Sequence, residues 1–157
     1  MNQEKLSHQL TARKTAVIVG LSGIAAIHLM DLPGKMSETP YLGFAYIGMI
    51  VASLVLIERI IKNAKQIDYL SAAAVAGLVL VGFVINRTVG MPGATGDIGN
   101  WFEPLGFLSL FVEAFTVYQA VAAVKIARSA KARSSDLQTQ TELNRRFLPS
   151  NGTLING

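Results

Sequence analysis

The chain contains no cysteine. That absence excludes disulfides, iron–sulfur clusters, thiolate zinc sites and thiol redox chemistry. Quinone-linked disulfide transfer, one of the tasks that four-helix membrane proteins perform, is excluded with them. Charge is scarce as well: 15% of the residues are Asp, Glu, Lys or Arg, against about a quarter in soluble domains. Histidine occurs twice, and only His28 falls within an apolar run, which argues against haem. What the chain does have is hydrophobic residues, 51% of the total. They are not spread at helical or strand spacing. They come in blocks, and that pattern belongs to a membrane protein.

Four blocks stand out. The first is "TAVIVGLSGIAAIHLM", and Asp31 to Pro33 extend it toward the ~20 residues that a span requires. No small-x-small cleavage site follows it, since "IHLMDLPGK" has the wrong chemistry, so it reads as an uncleaved helix and not a signal peptide. The other three are "YLGFAYIGMIVASLVLIERII", "YLSAAAVAGLVLVGFVIN" and "LGFLSLFVEAFTVYQAVAAVKIA". Only helices and closed barrels satisfy their backbone in lipid, and these blocks lack the dyad alternation of barrel strands. The expected fold is all-α, a bundle of four transmembrane helices with up-down topology. Its spans cover residues 15–33, 41–61, 68–86 and 105–126 within a membrane domain of residues 15–127.

The formal net charge is +4. A basic balance can serve nucleic acid, but here the basic residues flank the apolar blocks, so no nucleic-acid partner is expected. Twelve of the fourteen Lys and Arg residues fall in the N-terminal segment (residues 1–14), the link between the second and third blocks, and the C-terminal segment. Lys35 and Arg87 stand alone on the other side, with Asp31, Glu38, Asp97 and Glu103. The positive-inside rule then places both termini in the cytoplasm, N-in and C-in. Trp101, Tyr41 and Tyr69 lie near span ends, as aromatic belt residues do. Small residues, Gly20 and Gly23 in the first span and Ala73 and Gly77 in the third, suit close helix packing or a homo-oligomer contact. Residues 128–157 read as a polar cytoplasmic tail, mobile apart from a short helix over 136–147. Its basic start suits membrane lipid headgroups or simple stop-transfer flanking. The sequons at Asn86 and Asn151 read as chance matches, one against the membrane and one in the cytoplasm.

The chemistry concentrates in "INRTVGMPGATGDIGNWFEPLGFLSLFVEAF", residues 85–115. Residues 87–104 form a long Gly-rich outer loop, a length that often marks function. It is no phosphate loop, lacking the Lys-Ser/Thr ending and a preceding strand, and its triplets are too few for collagen. Its glycines permit tight turns, and the loop reads either as a lid over the helix ends or as a plain exposed connection. Glu113 falls deep in the fourth span, where a carboxylate must be protonated, paired or in a wet cavity. Arg87 and His28 are its nearest expected companions, with Ser109 and Thr116 on its own helix face.

Two readings stay open. In one, Arg87 pairs with Glu113 or Glu103 and the cluster simply fastens the bundle. In the other, His28, Asp31, Arg87, Asp97, Glu103 and Glu113 build an outer-facing ligand site, with His28, Glu103 and Glu113 as candidate metal ligands or a proton relay. No spaced motif such as H-x-x-x-H supports a metal. Met30, Met36 and Met91 are too scattered for copper(I). No set of residues selects a catalytic reaction or a cofactor.

The stretch also resembles a group of small bacterial four-helix membrane proteins to which no activity is assigned. In that group an R-T-x-G-x-P pattern closes the third helix and E-P-x-G opens the fourth, with an acid inside it. The matching positions here are Arg87, Thr88, Gly90, Pro92, Glu103, Gly106 and Glu113, with "IHL" at residues 27–29, Glu38 and "YLG" at residues 41–43. The resemblance spans residues 20–120 and implies a four-helix protein of the bacterial cytoplasmic membrane. The expected function is a non-enzymatic accessory subunit with a membrane-protein partner. The alternative is a binding or transport component for a cation or small ligand.

Overall fold

The computed structural model describes residues 3–147. Among these residues it is all-helical: α1 (Gln3–Glu38), α2 (Pro40–Lys62), α3 (Gln66–Thr88) and α4 (Pro104–Phe147), with a single 3-10 turn at Thr95–Asp97. Each of the four helices is long and apolar enough to cross a membrane. The sequon at Asn151 and the last residues of the tail lie outside the described residues.

The helix boundaries follow local chemistry. Only Thr39 separates α1 from α2, and Pro40 suits a first helical position because its fixed φ is already helical and its missing N–H would have no partner there. Between α2 and α3, Ala64 adopts a positive φ of 48°. The Asp68 carboxylate closes this turn: it accepts the Lys65 backbone N–H at 3.0 Å and pairs with Arg59 at 2.7 Å. α3 ends where Gly90, at φ 82°, takes the left-handed conformation and donates its N–H to the Ile85 carbonyl.

Two helices are longer than their apolar blocks. α1 begins near residue 3 and not at residue 15, and Leu6 is already buried. α4 runs unbroken for 44 residues. The expected short helix over 136–147 is its last part and not a separate element. The residues beyond Ala127 are Ala, Ser, Lys, Arg, Gln, Leu, Glu and similar types, with no Gly or Pro before Pro149, so nothing there stops the helix. Residues 131–147 are exposed throughout.

α1 packs against α2 and α4, and α3 against α4, whereas α2 and α3 touch far less. The apolar core sits at the end of the bundle that carries the 63–65 turn, here the turn end. It gathers Val17, Leu21, Leu56, Ile60, Tyr69, Ala72, Ala120, Ala123 and Val124. Tyr69 is fully buried in this core, so it is no interfacial belt residue, whereas Tyr41 is 47% exposed. The α1–α4 seam needs its glycines: a Cβ on Gly20 would strike the Thr116 hydroxyl, and one on Gly23 would lie 2.9 Å from Val112. Gly77 carries no such demand, since a Cβ there would meet Val117 at 4.0 Å.

Candidate functional site

At the opposite end, the loop end, the helices enclose a cavity of about 420 Å³. All six residues singled out in the sequence line it: His28 and Asp31 from α1, Arg87 from α3, Asp97 and Glu103 from the connecting loop, and Glu113 from α4. Lys35, Tyr46 and Asn86 join them.

Arg87 organises the roof. It is 6% exposed. Its Nη1 reaches Asp97 Oδ1 and the Asp97 carbonyl, each at 3.2 Å, and its Nη2 reaches Glu103 Oε2 at 3.2 Å. Beneath it lies the Phe83 ring, 5.0 Å from the guanidinium carbon. Asp97 is shared between helices, since its Oδ2 also accepts from Lys35 of α1 at 3.2 Å and from the Asn86 amide at 2.8 Å. Burial alone raises the Asp97 carboxyl, but hydrogen bonds from Asn86 and Lys35 and the charges of Lys35 and Arg87 outweigh it. Its pKa therefore falls below the ordinary value, and the loop is pinned to α1 and α3 by a group that stays ionised.

The E-P-L-G motif has a local explanation. Glu103 stands immediately before α4 and accepts the N–H groups of Leu105 at 3.2 Å and Gly106 at 2.8 Å. It thus caps the helix while holding Arg87. Pro104 starts the helix. Gly106 leaves room for the pair: a Cβ there would sit 2.7 Å from Glu103 Oε2 and from Phe83, and 3.0 Å from Arg87 Nη2. The loop is tied down further by Gly99 N–H to the Arg87 carbonyl at 2.9 Å, by Tyr41 hydroxyl to the Pro92 carbonyl at 2.8 Å, and by Trp101 edge-on to Phe83. Those contacts make it a packed roof and not a free connection.

The walls carry a second polar group. His28 Nδ1 lies 2.8 Å from the Ile24 carbonyl. A carbonyl only accepts, so Nδ1 carries the proton, and in the neutral ring Nε2 is an acceptor. The imidazole packs edge-on against Tyr46, whose hydroxyl donates to Asp31 Oδ2 at 3.1 Å. Tyr46 was not singled out in the sequence. A hydroxyl in the middle of an otherwise apolar block was the available signal.

Glu113 stands apart from both groups. It is fully buried, nine residues in from Pro104, about 13 Å along the helix at 1.5 Å per residue. Ser109 donates to its Oε1, while Oε2 has no hydrogen-bond partner among the described residues. No cation pairs with it there: Arg87 is engaged by Asp97 and Glu103 instead. Thr116 does not join this group either, since its hydroxyl bonds to the Val112 carbonyl of its own helix. Among the described residues no three His, Asp or Glu side chains come together closely enough to hold a metal ion, so His28, Glu103 and Glu113 share a cavity without forming a coordination set. Met91 lines the cavity, Met30 is 68% exposed, and Met36 packs on Gly43, so the three thioethers do not converge.

No family model matches the chain, and neither does any curated protein or solved structure. The functional reading therefore rests on the cavity itself.

Proposed function

We propose that this is a small-ligand binding component of a membrane, a four-span protein with both termini in the cytoplasm and its cavity opening on the opposite side. The observation that carries the reading is the cavity: about 420 Å³ beside a fully buried Glu113 whose Oε2 has no partner among the described residues. That volume lies in the range of small-molecule sites, about 300–1,000 Å³. A cluster that only fastened helices would close on itself, as Arg87, Asp97 and Glu103 do. The distribution of Lys and Arg supports the orientation, and a bacterial cytoplasmic membrane fits the resemblance carried by Arg87 to Glu113. The cavity favours binding over a purely accessory role.

Two experiments test this. The chain has no native cysteine, so single cysteines at Thr95 and Ser134 report sidedness cleanly. Labelling of Thr95→Cys from outside intact cells, with Ser134→Cys protected, is expected, and the reverse pattern overturns the orientation. Native mass spectrometry of detergent-released protein tests the binding. Gly82→Leu is the control, because Gly82 lines the cavity and a Cβ there meets nothing closer than Met91 at 3.9 Å. A small-molecule adduct that Gly82→Leu removes is the expected result. A bare chain, or lipid adducts indifferent to the filling, would sink the reading.

A further inference from the structure

This inference rests on the cavity being a binding site and concerns what it holds. We propose that the occupant is an organic amine carrying a hydrocarbon portion, with its ammonium group against Glu113, in the cavity that Asn86 also lines.

The first observation is which groups are left over. Glu113 Oε2 and Asn86 Oδ1 are both buried acceptors without a donor among the described residues. The Asn86 amide is oriented by its Nδ2, which donates to Asp97, so the oxygen is the end left unpartnered. Buried acceptors without partners are costly, and a ligand that donates hydrogen bonds relieves them. An ammonium group supplies three donors and a positive charge.

The second is the state of the basic residues. Lys35 and Arg87 are the natural seats for a carboxylate or phosphate, yet both are engaged. Lys35 holds Asp97 and Glu38, and Arg87 holds Asp97 and Glu103. Arg87 Nε has no partner among the described residues, but the guanidinium already faces two carboxylates and lies over Phe83. An anion would have to displace an internal acid. A cation displaces nothing, and the lining carries five acids against these two bases.

The third is shape. A bare divalent ion lacks a ligand set, since no group of three His, Asp or Glu forms one among the described residues. Met49, Leu78, Val79 and Phe83 give the cavity apolar walls from α2 and α3, which pack on each other less than either packs on its main neighbour. A hydrocarbon portion fits against those walls, and an inorganic ion leaves them unused.

The test uses three chain-matched probes, n-octylammonium, n-octanoate and n-octanol, titrated against the full chain in lipid nanodiscs. Binding is read by native mass spectrometry and by the shift in thermal midpoint. Saturable binding of octylammonium, at least tenfold tighter than either other probe and abolished in Gly82→Leu, is expected. Glu113→Gln and Glu113→Met should each weaken it at least tenfold, so either variant serves if the other fails to fold. Asp136→Asn, on the exposed part of α4, should leave it unchanged. Octanoate or octanol binding as tightly, with the same sensitivity to Gly82→Leu, overturns the amine assignment and leaves the cavity a binding site. No saturable binding by any probe overturns both.

Discussion

At the turn end the helices meet through a dry cluster in which Val17, Leu21, Ile60, Tyr69 and Ala72 are fully buried. At the loop end the same helices stand around a cavity and are joined by ions, with Arg87, Asp97 and Lys35 bridging α1, α3 and the loop. Lipid offers no hydrophobic gain for bringing helices together, so association must come from close packing or from polar contacts. One end uses packing. The other uses charge and keeps space. The difference teaches that close packing at the dry end leaves the other end free to keep an open cavity beside buried charge.

The largest effect should come from the dry end. Tyr69→Ala is expected to cost about 3–5 kcal/mol in unfolding from mixed micelles. Tyr69→Phe should stay within about 1 kcal/mol, because the hydroxyl has no partner among the described residues to lose. Next comes Arg87→Leu, which leaves Asp97 and Glu103 without their cation and should cost about 3 kcal/mol in the same assay. Gly106→Ala pushes a methyl group into Glu103 and Phe83, and its expected cost is about 1–2 kcal/mol. Glu113→Gln should be smallest in stability, under about 1 kcal/mol, since an isosteric amide can keep the Ser109 contact. If Glu113→Gln proved as damaging as Tyr69→Ala, the contrast between the ends would collapse and the cluster would be an internal fastening.

The pH dependence sharpens the same contrast. Asp97 has a folded pKa below its ordinary value. Its contribution is therefore fully present above the unfolded pKa and is lost only as pH falls through the depressed folded one. Trp101 is the only tryptophan and packs on Phe83 beneath the loop. Its emission should hold from pH 7 to about pH 4 and shift only below that range. In Asp97→Asn the shifted emission should already be present at pH 7, and an unchanged spectrum would show that the loop does not depend on this carboxylate.

The four helices were legible because apolar blocks near 20 residues leave few alternatives in lipid. The helical extension before residue 15 was less so, although Leu6, Leu10 and Val17 already mark one face at four- and seven-residue spacing. The site was legible as a set of residues and not as a set of pairs. All six candidates share the cavity, but Arg87 could be matched to Glu103 or Glu113 from spacing alone. The path of the loop decides it: Gly90, Gly93 and Gly99, all at positive φ, turn the chain so that Asp97 arrives at the guanidinium. That path is tertiary information. Lys35 and Tyr46 were missed as site residues for the same reason: Lys35 reaches the cluster only once the loop packs on α1, and Tyr46 only once α1 and α2 pack side by side.

The length of α4 has a mechanical meaning. A single hydrogen-bonded rod joins Glu113, in the cavity wall, to Phe147 at its far tip. The distance between them is 34 residues, about 50 Å at 1.5 Å per residue, and a bilayer's hydrocarbon is only about 30 Å thick. Between the two, Ala120, Ala123 and Val124 grip the rod in the dry core, so the exposed stretch 131–147 projects as a stalk held at its base.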